Sequence, residues 1–168
     1  MICSYCYKSS KFYTTNTMEK VIGESVKKTN QLFLERYVDD YCKALDENFK
    51  QDTVRSLEHN LKRDPECTYS ANKLMKIYQG KANLDRFRYS EGKKYLKVTR
   101  EEYDEKTGYW RDTTVHAFVD RETGEVYKPA SWKSPAKHVR FNLNRPEDRS
   151  YLFQPNNVDW AGGYLYMR

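Results

Sequence analysis

The sequence predicts an α+β fold: N-terminal helices packed on a C-terminal three-stranded antiparallel β-meander. Three observations carry this reading. Apolar residues keep helical spacing from Met18 to Phe49, the period switches to two after Gly92, and two matching turns join the strand-like runs. At 168 residues the chain has the size of one domain and can bury a core without staples. Its 15 Tyr, 7 Phe and 3 Trp supply the buriable area.

Residues 1–17 are polar with scattered aromatics and no period, and are expected to form a flexible N-terminal extension. Thr17 has the chemistry of an N-cap, and Met18, where the period begins, is an alternative start. Residues 18–80 form the helical region. Met18, Ile22, Val26, Phe33, Tyr37, Tyr41, Leu45 and Phe49 recur largely at intervals of four, as one long helix or two broken near Lys28–Asn30. The stripe reads as a core face or as an oligomer seam. A separate helix is expected over Thr53–Lys62 with Asp52 as N-cap, ended by Asp64-Pro65, and a third over Ser70–Gln79, stopped by Gly80.

Lys81–Gly92 reads as a basic connector, and residues 93–168 as the meander with a short helix and an aromatic C-terminal tail. The strands are expected at Lys94–Tyr103, Tyr109–Asp120 and Glu125–Lys128, with Leu96, Val98 and Arg100 on one face of the first. The turns Asp104-Glu-Lys-Thr-Gly108 and Asp120-Arg-Glu-Thr-Gly124 each place glycine where a type I turn with a G1 bulge needs a left-handed residue. Pro129 ends the third strand, because proline cannot donate to a ladder. Pro146-Glu147-Asp148-Arg149 opens a short helix to Phe153, with proline at the first position and acids in the first turn. The tail DWAGGYLYMR has to dock on something, and Gly162-Gly163 allows it a sharp turn.

Thirty Lys/Arg against 24 Asp/Glu give a net charge of +6, which favours acidic partners. The excess is concentrated after the last turn: between Val126 and Arg149, six Lys/Arg face two acids. Lys128, Lys133, Lys137, Arg140 and Arg145 there alternate with Tyr127, Trp132 and Phe141. Cations neutralise phosphates and rings stack bases, so Lys128, Lys133, Lys137, Arg140, Arg145, Tyr127 and Trp132 are the candidate ligand-binding residues. The competing reading makes Trp132 and Phe141 core residues and leaves the lysines solvated.

No catalytic constellation is visible. His116 and His138 flank the basic segment without an evident nucleophile, and Asp120 and Asp159 read as a turn and a cap. Tyr37-Val-Asp-Asp40 matches a polymerase carboxylate motif but lies mid-helix in a chain too short for that fold. Neither Thr-Gly pair leads from a strand into a helix, so neither is a phosphate loop. Cys3 and Cys6 form a C-x-x-C without a second ligand pair, so no metal and no cofactor are expected. No apolar run approaches a membrane span, and the cysteine usage suits a reducing cytosol.

Three strings carry a resemblance: GKKYLKV from Gly92, VHAFVDRETGEVYKPASWKSPAKHVRFNL from Val115, and DWAGGYLY from Asp159. Over Lys93–Arg168 the chain resembles a group of uncharacterised small proteins of tailed bacteriophages. The resemblance implies a phage origin and a host-cytoplasmic or virion setting, and it brings no catalytic residues. Together these readings point to a non-catalytic phage accessory protein that binds phosphate-bearing ligands, nucleic acid first and a nucleotide second. The alternatives are a virion or assembly component, whose helices and tail meet other proteins, and an inhibitor or nucleotide sponge acting on a host system.

Overall fold

The computed structural model describes the backbone of residues 15–166, with side chains from Lys20 onward. Most of the flexible extension expected over 1–17, with Cys3 and Cys6, lies outside the described residues. Thr17, expected as a cap, lies inside the first helix.

That helix, α1, runs unbroken over Thr15–Arg63. Of the two readings of Met18–Phe49 the single long helix holds, with no break near Lys28–Asn30, and the new helix start expected at Asp52 does not occur. Thr29 bonds its hydroxyl to the Ser25 carbonyl within the helix (2.9 Å). Asp52 is no cap, because its carboxylate accepts the Trp160 indole N–H (3.0 Å). The segment expected as a separate helix over Thr53–Lys62 is therefore the end of α1. A turn at Asp64-Pro65 leads into α2 (Thr68–Tyr78), which folds back on α1. Gly80 follows it with φ 68°.

The sheet has five strands, not three: β1 (Arg86–Glu91), β2 (Tyr95–Asp104), β3 (Tyr109–Asp120), β4 (Glu125–Pro129) and β5 (Pro135–Asn142), antiparallel in chain order. Both additions are edge strands. Arg86-Phe-Arg-Tyr89 was expected to be a connector, but its alternation places Phe87 in the core. Pro135–Asn142 lies beyond the last of the three expected strands; it pairs with β4 through an irregular register. The outward Phe87 N–H of edge strand β1 is taken by Asp46 of α1 (2.5 Å), which covers an edge otherwise open to pairing.

Both expected turns form. Gly108 and Gly124 have φ 73° and 72° and donate to Asp104 and Asp120 carbonyls. Each aspartate also accepts backbone N–H bonds from its own turn. A short helix, α3 (Pro146–Leu152), follows β5.

The core lies between the middle of α1 and one face of the sheet. Leu34, Val38, Tyr41 and Leu45 meet Phe87, Leu96, Val98, Ala117, Val119 and Val126. Arg100 shares this inner face as expected: its guanidinium lies 5.3 Å from the Phe49 ring and 5.0 Å from the Trp160 ring, paired with Asp85. Ten residues of β2 face twelve of β3, because two register shifts leave His116 and Thr113 without direct partners. A bulge of this kind turns a side chain to the opposite face. His116 is thus aimed inward, its ring 5.1 Å from Phe87 and 6.2 Å from Tyr41.

The C-terminal tail closes the core. Asn48 of α1 grips it twice, donating to the Pro155 carbonyl (2.8 Å) and accepting the Trp160 N–H (2.9 Å). Gly162 turns with φ 82°, and Asp159 caps the Ala161 and Gly163 N–H groups. The turn delivers Tyr164, whose hydroxyl hydrogen-bonds both Tyr41 and His116 Nε2, the latter at 2.9 Å. Helix, tail and sheet meet at that hydroxyl.

Two outcomes follow. Tyr164→Phe strands the buried Tyr41 hydroxyl and His116 nitrogen, and should destabilise the fold by about 2–3 kcal/mol in urea unfolding. Burial also pushes His116 down from 6.5 to about 4, so the folded chain holds it neutral. The unfolded chain binds that proton more readily, so this contribution is complete above pH 6.5 and is lost as pH falls toward 4. The loss should reach about 3 kcal/mol, and a His116→Gln variant should show a correspondingly flatter stability profile over that window.

Candidate functional site

Strand alternation leaves one face of the sheet without a helix. Tyr95 and Lys97 point away from the core set Leu96 and Val98, and the register places Phe118 beside Lys97 and Tyr127 beside Phe118. The outer face is therefore aromatic. Phe118 is buried there under edge contact with Tyr95 (5.9 Å), and Tyr95 meets Tyr127 at 6.1 Å.

The β4–β5 loop overhangs this face. Pro129 and Pro135 bracket it, and Ser131 ties it internally, its hydroxyl accepting the Lys133 and Ser134 N–H groups and meeting the Ser134 hydroxyl (2.7 Å). At its tip Trp132 is 43% exposed, with the Lys97 ammonium 4.9 Å above its ring. Trp132 is not a core residue; Phe141 is packed on the core's margin, stacked on Tyr151 at 5.4 Å.

A hollow of about 440 Å³ opens beside Trp132, lined by Lys93, Lys94, Tyr95, Lys97, Phe118 and Lys133 among others. The β1–β2 turn feeds two of these lysines into it. Gly92 makes that turn, and a Cβ there would lie 2.8 Å from the Tyr95 carbonyl oxygen, so no larger residue fits without moving backbone. Glu91 on the same rim is neutralised by Arg121 (3.2 Å). Lys94 makes a long contact with Asp120 (3.7 Å), while Lys93, Lys97 and Lys133 have no carboxylate partner among the described residues.

The seven residues singled out from the sequence divide. Trp132, Lys133 and Tyr127 share the outer face. Tyr127 is held by a hydrogen bond to Glu125 (2.7 Å), which, with burial second, pushes its hydroxyl up to about 12 and keeps it neutral. Lys128 and Arg140 go elsewhere: the Lys128 ammonium sits 3.5 Å from the Tyr166 ring centre, and Arg140 donates to the Leu165 carbonyl (2.6 Å), pinning the tail. Arg145 precedes α3 with its side chain exposed, and Lys137 is exposed on β5. The residues missed are Lys93, Lys94, Lys97 and Tyr95. Their signal is GKKYLK, where alternation sets Lys93 and Lys97 with Tyr95 on the side opposite Leu96 and Val98, while Lys94 sits in the turn before β2.

A larger cleft, about 910 Å³, lies where α1 leaves the body, but its arginines are engaged. Arg121 bridges Glu35 and Glu91, and Arg149 covers the Tyr37 ring while donating to the Leu143 carbonyl. Those bonds hold elements together, so the outer face is the better candidate. Among the described residues no three His, Cys, Asp or Glu side chains gather as a metal site, and no helix is long and apolar enough to cross a membrane.

Trp132 should be the indole most open to quenchers, and its lysine neighbours should attract anions. The ratio of iodide to caesium quenching is expected to exceed that of free N-acetyltryptophanamide, and Trp132→Phe should remove most of that excess; a ratio equal to that of the free indole would contradict a positive outer face.

A family described as "Family of unknown function (DUF7717)" matches residues 17–167. No curated protein and no solved structure matches the chain.

Proposed function

This chain belongs to the DUF7717 family, a family of unknown function, and from its geometry we propose that the outer sheet face binds phosphate-bearing ligands, single-stranded nucleic acid first among them, without catalysis. The observation that carries this reading is Trp132 held open on a self-tied loop beside Lys97 and Lys133, with Lys93 and Lys94 on the same rim. Rings accept bases regardless of sequence, and ammonium groups track the backbone. Lys93, Lys94, Lys97 and Lys133 neutralise phosphates, while Trp132 stacks a base, with Tyr95 and Tyr127 beside it as a platform.

The setting we assign is infection by a tailed bacteriophage, in the host cytoplasm or the virion. It rests on the strings quoted from Gly92, Val115 and Asp159. The reading as an assembly component loses one of its supports, because Trp160, Tyr164 and Leu165 of the tail are packed in this chain's own core region rather than offered to a partner.

Anisotropy with a fluorescent oligothymidylate, repeated across salt concentrations, tests the reading. Four neutralised phosphates predict a log–log slope of about −3 on single strands. Lys97→Ala and Lys133→Ala should each reduce that slope by about 1, and Trp132→Ala should weaken binding by about 1–3 kcal/mol. Arg145→Ala, outside the residues lining the hollow, should change little. Absence of binding at low salt, or affinity indifferent to salt, would sink the proposal.

A further inference from the structure

The first half of α1 carries a second apolar stripe that the body does not cover. Val21, Ile22, Val26, Leu32 and Phe33 are each 51–62% exposed. Helical geometry, about 100° per residue, sets their mean direction roughly 150° away from that of Leu34, Val38, Tyr41 and Leu45. The stripe therefore faces away from the sheet and cannot be covered by it. A single scattered surface leucine means little, but a row of large apolar side chains on one face marks an interaction surface. Ser25 and Thr29 lie within this stripe, and their hydroxyls bond to the Val21 and Ser25 carbonyls (2.9 Å each). Their polar groups need no water, so the stripe tolerates burial along its length.

The pattern also says what covers it. About residue 27 most of it is mirrored: Val21 and Ile22 mirror Phe33 and Leu32, and Ser25 mirrors Thr29, with Val26 the exception because its mirror position is Lys28. A two-fold antiparallel pairing sets each residue against its mirror position, so bulky ends meet bulky ends and small centres meet small centres. Charge does not oppose it. Glu24 lies about 140° from the mean direction of the stripe, four residues before Lys28, where the two can pair within one copy. Lys27 points away from the seam, so its meeting at the centre brings no repulsion.

We propose that residues 20–33 of α1 form an antiparallel two-fold contact with the same segment of a second copy of this chain. The bodies then lie at opposite ends and on outward sides of the paired helices, leaving both outer sheet faces open. The contact is independent of the ligand reading above.

Sedimentation equilibrium on the full chain, from low micromolar to near-millimolar concentration, tests it. The weight-average mass should rise toward twice that of one chain. Ile22→Glu and Leu32→Glu should each weaken association roughly tenfold or more, equivalent to at least about 1.4 kcal/mol. Their melting temperatures, measured at monomeric concentrations, should stay near wild type, because neither side chain packs on the body. Lys27→Glu should leave association unchanged. Ser25→Cys and Thr29→Cys chains mixed under oxidation should give the 25–29 mixed disulfide, identified by mass spectrometry, in preference to either homodisulfide. A wild-type chain that stays monomeric throughout, glutamate variants that associate like wild type, or preferred homodisulfides would each overturn the proposal. So would a monomeric chain that co-sediments with anionic vesicles, which would give the stripe to a membrane surface.

Discussion

One shared hydroxyl joins the three parts of this protein. Tyr164 stands in a tail that is otherwise turn and short 3-10 helix, yet it binds Tyr41 of the helix and His116 of the sheet. Burial raises both tyrosines well above their ordinary range and lowers the imidazole, so all three remain uncharged and the chain of bonds is between neutral groups. Such a network is favourable only when every member is satisfied. The surrounding devices serve that condition. The β3 bulge aims His116 inward, Gly162 turns the tail back, and Asn48 fixes its path.

Because the tail is committed to the inner face, the cations near it are committed as well. Arg140 and Lys128 hold the tail, Arg100 supports Trp160, and Arg149 lies on Tyr37. An arginine at a ring or carbonyl in a half-buried place is a structural fastener, however basic its sequence neighbourhood looks. On the outer face Lys97 lies over Trp132 and Lys94 reaches Asp120, but Lys93 and Lys133 have no carboxylate or ring contact among the described residues. That contrast, rather than the total of +6, separates the surface open to an anionic ligand from the positive charge that the fold consumes.

Much of the architecture was legible. The twin turns were read correctly because glycine at positive φ and an aspartate accepting its own turn's N–H groups are local chemistry. The edge strands β1 and β5 were not, because an edge strand has few buried positions: Phe87 in one, and Phe141 with little else in the other. The helical stripe misled for a geometric reason. Spacing of four advances about 40° per step beyond a full turn, so a row that begins at Ile22 and ends at Phe49 winds from one face of the helix to the other. Its two ends never share a face. The basic-aromatic site was half legible. Trp132, Lys133 and Tyr127 were visible as neighbours in sequence, whereas Lys93, Lys94 and Lys97 join them only through strand pairing across β2, β3 and β4. Arg140 was misassigned because its extra place in the β5 register turns it onto the tail, which no local pattern reveals.

The unsupported half of α1 has a further property. Residues 20–26 lie beyond the cleft that α1 forms with the body, so insertion or deletion there is silent for the core. Yet removing one residue draws the free end in by about 1.5 Å and swings it through about 100°. Length in that segment is thus a dial for azimuth: relatives differing by a single codon in it would aim their leading ends in different directions while keeping the same globular body.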